Sequence, residues 1–364
     1  TPVEINSRIG YGGDTRSDIS LKPLNYENNG EKVAFSGGEF QLNADKDGNV
    51  VSLSGEAQSG LVDAVNEYNQ KVQITFNNLK TDGSSTLASF GERIGNQTLS
   101  LEKMTVSVEG KEMAVLEGMV IDGKSDLVND GKTINSQLDY SLNSLKVQNQ
   151  DLGSGKLTLK VGQIDGEAWH QFSRQYNAQT QALMTQPEVV QNPELYQEKV
   201  TEAFFGALPL LMKGEPVITV APLSWKNAKG ETALNLSLFL KDPAATTEEP
   251  QTLTQEVDRS VKSLDAKLTI PMDMAVEFMT QAARLEGYQQ EDADKLANQQ
   301  VKGLAAMGQM FRITTLQDNT IATNLQYANG QVTLNGQKMT LEEFVGMFGM
   351  PALSVPDAPA IPQQ

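Results

Sequence analysis

Apolar and polar residues alternate with a period of two along most of residues 1–165, and no other feature restricts the fold as strongly. Phe40, Leu42 and Ala44 fall on one side of an extended chain, and Val51 and Leu53 resume the pattern after Asp47-Gly48. Val72, Ile74 and Phe76 share a side, as do Met104, Val106 and Val108, and the runs LDYSLNSLKV and KLTLKV continue it. Successive side chains of a strand point to opposite faces, so this alternation specifies strands with one face buried and one in water, the habit of antiparallel sheet. Asp-Gly and Asn-Gly pairs between the runs predict hairpin turns. The expected fold is α+β and β-rich: long curved antiparallel sheets of about fifteen strands, with a few amphipathic helices packed on or closing the sheet.

The period changes at Glu167. Ala168, Phe172 and Tyr176, with Trp169 and Leu183 near the same stripe, have helical spacing, and Asp165 is placed to cap them. A second helix is expected after Pro187 and Pro193, with Tyr196, Val200, Phe204, Ala207 and Leu208 on one face, ended or kinked by Pro209. Strands return in PVITV and ALNLSLFL, and Asp242–Glu256, acidic and rich in threonine, reads as an exposed loop. Helices are expected near Asp273–Tyr288 and Asp292–Met310, then a hairpin turning at Asn329-Gly330 and a short helix capped by Thr340 and Glu343. The segments Lys156–Phe172, Lys267–Phe278 and Val332–Phe344 each lead a strand into a helix, with Val50–Val65 as a fourth candidate. The organisation is therefore an antiparallel sheet region at 1–165, a helical insertion at 166–213, a second sheet region with helices at 214–350, and a disordered Pro/Ala-rich tail at 351–364.

Most chemistry is excluded by what the chain lacks. There is no cysteine, so no disulfide, thiol nucleophile or cysteine metal site. The net charge of −17 opposes binding to nucleic acid through a basic patch. No apolar run approaches the ~20 residues that span a bilayer. His170 is the only histidine, so any triad and most transition-metal sites must pass through it; it has no partner at metal-ligand spacing and reads as a helix residue on a polar or half-buried face. The stretch Asp45–Asn49 resembles the start of a calcium loop, but Val50 stands where a glycine must turn the chain, and a hairpin fits better. Gly118–Ser125, GMVIDGKS, matches the G-x-x-x-x-G-K-S pattern of phosphate-binding loops. Yet Met119, Val120 and Ile121 are strand residues, and no helix-like run follows Ser125. Asp122-Gly123 is expected to turn between two strands, leaving Lys124 in solvent. No catalytic residue, nucleotide, metal or cofactor is assigned.

Two apolar features remain. Phe204–Met212, FFGALPLLM, is the most apolar stretch, and eight of thirteen methionines lie after residue 270. Methionine is flexible and polarizable and suits surfaces that adapt to varied guests. Phe204, Phe205, Leu208, Met212, Met274, Met279, Met307 and Met310 are accordingly the candidate ligand-binding residues; burial in an ordinary core is the competing reading.

The segments GEAWHQFSRQYN, APLSWKNAKGETALNLSLFLKDP and YANGQVTLNGQKMTLEEFVGMFGM resemble the YdgA-like family of uncharacterised bacterial envelope proteins, and the resemblance covers the whole chain. The chain opens TPVEIN, without initiator methionine or signal segment, and reads as a processed product or a fragment. The resemblance implies a preceding segment that carries a single inner-membrane anchor, a periplasmic location for the residues here, and self-association as a homo-oligomer such as a dimer. It brings no activity, cofactor or catalytic residue. The layout is also similar to envelope proteins that move or shelter lipids in long curved sheets, a likeness of architecture alone. Three readings follow in order: a non-enzymatic lipid- or hydrophobic-ligand-handling protein with an apolar sheet groove, a self-associating envelope scaffold with a closed core and protein partners, and a carboxylate-dependent glycan hydrolase. Titration with magnesium-ATP is expected to give no binding heat; a signal abolished by Lys124→Ala would restore the nucleotide reading.

Overall fold

The computed structural model describes residues 2–349. The tail at 351–364 and Met350 lie outside the described residues. Strands β1 (Val3–Ile9), β2 (Thr15–Leu21), β3 (Leu24–Asn28), β4 (Glu31–Phe35) and β5 (Gly38–Ala44) are short. Then come β6 (Val50–Val65), β7 (Lys71–Leu87), β8 (Arg93–Val108), β9 (Lys111–Val128), β10 (Thr133–Val147) and β11 (Gln150–Asp165), of 15 to 18 residues each. At ~3.3 Å per residue these strands run about 50–60 Å. Helices α1 (Gly166–Leu183), α2 (Pro187–Val190) and α3 (Pro193–Leu211) precede β12 (Val217–Asn227) and β13 (Gly230–Leu240). After α4 (Leu253–Ser260) come β14 (Val261–Pro271), α5 (Met272–Leu285) and α6 (Gln290–Met310). The described chain ends with β15 (Thr315–Gln317), β16 (Thr320–Ala328), β17 (Gln331–Leu334), β18 (Gln337–Thr340) and α7 (Leu341–Gly346).

All eighteen strands join one sheet. Pairing runs from β1 to β2 and β5, then strand by strand from β6 to β14, and on through β16 to β17 and β18, antiparallel at every step. The sheet crosses the helical segment without a break, because β11 pairs directly with β12. Directly opposed residues share a face, so rows of partners can be followed across the sheet. One row runs from Leu42 and Leu53 through Gly83, Gln97 and Gly123 to Leu138 and Leu159. It continues through Val220, Leu236 and Ala266 to Leu325 and Leu334. Its apolar character is the sequence alternation read sideways.

Three strands lead straight into helices. Asp165 ends β11, and its carboxylate accepts the Ala168 N–H at 2.8 Å, capping α1. Pro271 ends β14 before α5. Thr340 ends β18 and forms a capping box with Glu343, with bonds of 2.9 and 3.1 Å. The fourth candidate unit is corrected: Val50–Val65 is one continuous strand, its two Ser-Gly pairs accommodated in a ladder with β7 that skips only Gln58. Pro209 does not end α3, which runs on to Leu211. The loop after Asp242 is shorter than expected, because Thr252 caps α4 with a 3.2 Å bond from Gln255 N–H. Helices α4 and α7 cover the β16–β17 end of the apolar rows, where Tyr327, Val332, Leu334 and Leu341 form a core with Leu264 and Leu325. The Tyr327 hydroxyl donates to Asp258 at 2.6 Å; burial, then this bond, pushes its pKa well above the ordinary tyrosine value and keeps it neutral.

Asp122-Gly123 is not a turn. Both residues lie within β9, paired with Thr98 and Gln97 on one side and Asp139 and Leu138 on the other. The hairpin reading failed because two flanking strands supply a ladder at which an Asp-Gly pair simply continues. The glycine with turn-like backbone is Gly118, at φ 65°. It belongs to a line of interruptions at Gln58, Asn78, Glu102, Gly118 and Asn143, where paired residues are skipped in β6 through β10. Asn78, like Gly118, is left-handed, at φ 53°. Each of these strands carries two non-apolar residues in tandem here, such as Asn77-Asn78 and Glu117-Gly118, so the alternation changes phase. In a regular strand, that change would move the apolar set to the other face; the kinks fall where it occurs. Gly118→Ala is expected to cost about 1–2 kcal/mol, from a left-handed alanine, with a Cβ 2.3 Å from Asn143 Nδ2 to be relieved as well. Chemical denaturation would measure it.

The helical insertion packs around aromatic rings. Phe172 is 5% exposed and stacks between Trp169 and Tyr176 at centroid distances of 5.5 and 5.8 Å. Phe204 meets Phe172 edge-on at 5.8 Å, and Phe205 lies at the outside, 62% exposed. Phe172→Ala is expected to cost about 3–5 kcal/mol. Phe205→Ala, with few protein contacts to lose, should cost far less. Melting curves of the two variants would separate them.

Candidate functional site

Between the line of kinks and α1, the long strands curve around a cavity of about 530 Å³. Six consecutive strands, β6 to β11, line it, so the sheet is concave on this face. The volume falls within the about 300–1,000 Å³ typical of small-molecule sites. Val51, Leu53, Leu138, Leu159 and Val161 form apolar walls. Between them, register brings together Ser85 with Gly95, Gly83 with Gln97, and Ser125 with Ser136. The glycines and serines leave the hollow open, where leucine at each place would fill it, and the longer Gln97 side chain lies over Gly83.

The glycines have different reasons. A Cβ on Gly95 would lie 1.9 Å from the Ser84 carbonyl oxygen, so glycine is needed for the strands to approach. A Cβ on Gly123 would meet Leu138 Cδ1 at 3.6 Å and the Gln97 carbonyl oxygen at 3.8 Å, both ordinary contacts. Space, and not backbone geometry, is what Gly123 supplies. Ser125 and Ser136 satisfy each other at 2.8 Å, which leaves the floor weakly polar. Beside the cavity, the next row carries Leu99, Tyr140 and Leu223, each 39–47% exposed. The helices that reach this part of the sheet do so at its margin: α1 on β11 and α5 on β11 to β14.

Charge around the hollow is uneven. Arg93 and Lys124 border it, and no Asp or Glu does. Lys124 is exposed, as expected, and pairs in register with Asn96 and Gln137. Its charge is felt by Asp139, a neighbour of the opposite, polar face. There a Thr158 hydroxyl donating at 2.6 Å holds the Asp139 carboxyl below its usual pKa, against the effect of burial.

The eight candidate ligand residues fall into two helical groups. Phe204 and Phe205 are exposed on α3, Leu208 is half-buried, and Met212 is buried just beyond. Met274 is buried, with its sulfur accepting from Thr232 at 3.0 Å, and Met279 packs on Met272, Val301 and Ala305. Met307 and Met310 stand exposed on α6 at 52% and 69%. None of the eight lines the sheet cavity. The residues that do each look ordinary alone. Their signal was a run of glycine and serine at face positions of adjacent strands, visible only once the register is known.

His170 pairs with Glu92 through Nδ1–Oε1 at 2.9 Å, tying α1 to the loop before β8. Among the described residues, no group of three or more His, Asp or Glu side chains could hold a metal ion. The Gly118–Ser125 stretch is strand throughout and offers no phosphate-cradling loop. Among the described residues, no helix is long and apolar enough to cross a membrane.

The chain is 83% identical over 364 residues to Protein YdgA of Escherichia coli (strain K12), spanning all of this chain and 72% of that protein. It is 32% identical over 351 residues to Uncharacterized protein YihF of the same organism, covering 96% of this chain and 70% of the relative. No solved structure matches the chain. The model of a family described as bacterial protein of unknown function, DUF945, matches residues 1–342. The match runs from β1 into α7 and takes in the whole sheet, and the chain therefore belongs to the DUF945 family of bacterial proteins.

Proposed function

We propose that this protein is a non-enzymatic envelope protein that holds a lipid or other hydrophobic ligand on the concave face of its sheet. The observation that carries the reading is the hollow itself: six strands curve around about 530 Å³ whose walls are valine and leucine and whose floor is glycine and serine with one glutamine, Gln97. A closed core would fill such space, because interiors pack to crystal density. The exposed row of Leu99, Tyr140 and Leu223 extends the apolar surface beside it. The envelope setting fits this chemistry. In the proposed arrangement the chain is periplasmic, held at the inner membrane by a segment outside it, and works as a homo-oligomer.

The scaffold reading has one observation of its own. Leu304, Met307 and Phe311 form an outward apolar stripe on and just after α6, each at least 52% exposed, beside the face where Ala297, Val301 and Ala305 are buried. A stripe of that kind suits protein contact. It does not account for the hollow, so scaffolding is the second reading. Glycan hydrolysis would need two facing carboxylates, and the cavity lining contributes none.

Gly123→Val tests the groove. Valine suits a central strand and should change stability by no more than about 1 kcal/mol, in the stabilising direction. Its methyl groups would enter the hollow. The expected result is lipid in an organic extract of the wild type by mass spectrometry, reduced at least tenfold in the variant, with an equal or higher melting temperature. A wild type that carries no lipid and captures no fluorescent fatty acid would leave the scaffold as the better account.

A further inference from the structure

The lining of the hollow is selective in charge as well as in shape. In a chain of net charge −17, it contains two cations and no carboxylate. Arg93 is the one whose place in β8 puts it on the concave face, two residues before Gly95. Its guanidinium is anchored without being neutralised. Nη2 donates to the Gly48 carbonyl and Nη1 to the Asn49 carbonyl at 3.5 Å, both in the β5–β6 turn. Carbonyl oxygens orient a guanidinium but leave its full positive charge. Arg93 takes part in none of the six ion pairs among the described residues.

The nearby carboxylates are mostly engaged. Glu92 bonds His170, and Asp45 accepts the Val50 N–H at 3.0 Å. Asp47, in the same turn, is exposed to solvent, where screening weakens its pull. Arginine has five N–H donors in a planar fork that matches carboxylate and phosphate oxygens. A positioned, uncancelled fork at the rim of an apolar hollow is what an acidic head and an alkyl tail require together.

We infer that the occupant of the groove is an acidic amphiphile, an alkyl chain bearing a carboxylate or phosphate group, with its head at Arg93 and its tail over Gly95 and Gly123 toward Leu138 and Leu159. This rests on the groove reading above and adds to it the head group and the direction in which the ligand lies. Neutral lipids of the same tail bind more weakly, because their polar end offers the guanidinium no counter-charge.

Palmitate, methyl palmitate and inorganic phosphate serve as probes, in competition with a fluorescent fatty acid at low salt. The wild type is expected to bind palmitate at least tenfold more tightly than the ester, and added salt should narrow the gap. Arg93→Gln should reduce palmitate binding to the level of the ester while ester binding stays the same, and Arg93→Lys should keep most of the preference. Phosphate alone should displace the probe only at far higher concentration. Vesicles of phosphatidylglycerol should donate lipid to the wild type faster than vesicles of phosphatidylcholine. Equal binding of acid and ester by the wild type, or an equal loss of both in Arg93→Gln, overturns the assignment of the head group while the groove stands. If neither probe binds, or Gly123→Val weakens neither, the groove itself is wrong.

Discussion

Antiparallel pairing that continues from strand to neighbouring strand governs everything else in this molecule. Because every strand pairs antiparallel with its neighbour, a residue's facing is inherited across the sheet by its partners. An apolar choice at Leu53 and one at Leu325 then belong to the same surface although hundreds of residues separate them. Backbone bonds supply the order and carry no side-chain preference. The pattern of side chains decides only which face is apolar, and where along it space is left empty.

The two glycines that make Gly118–Ser125 look like a phosphate loop illustrate the difference. Gly118 is there for its backbone: it is left-handed, and it lies on the line where β6 to β10 kink together and the alternation changes phase. Gly123, five residues on, has ordinary strand geometry and is there for its missing side chain, which opens the hollow. A phosphate loop would use its glycines to point N–H groups at a ligand. Here the neighbouring strands take up those N–H groups, and the conformation needed to cradle phosphate is gone.

The helices divide the same apolar face into covered and open parts. At the β16–β17 end, α4 and α7 close it into a conventional core around Val332, 1% exposed. At the margins, α1 and α5 rest on β11 and its neighbours. The middle of β6 to β10 is left with a concave, weakly polar floor bounded by leucine and valine. A sheet that only needed to be stable would gain by covering this area, at roughly 25 cal/mol for each Å² removed from water. Its openness is the structural ground for the ligand-handling proposal.

Local chemistry was legible from the residues wherever one segment determines its own form. The alternation of Val72–Phe76 and Met104–Val108, the Asp165 and Thr340 caps, and the Asn329-Gly330 turn each depend on neighbours a few residues away, and each stands as read. Asp122-Gly123 and Val50–Val65 were misread for the opposite reason: their conformation is set by partners in other strands, which override a local preference for turn or helix. The hollow was not legible at all. Ser85, Gly95, Ser125 and Ser136 are unremarkable along the chain and meet only through register. One-faced antiparallel sheet with capped helices can be read from the residues alone, because period, caps and turns are short-range. Where that face stays open is settled by the assembled sheet, because an empty volume is a property of many strands at once.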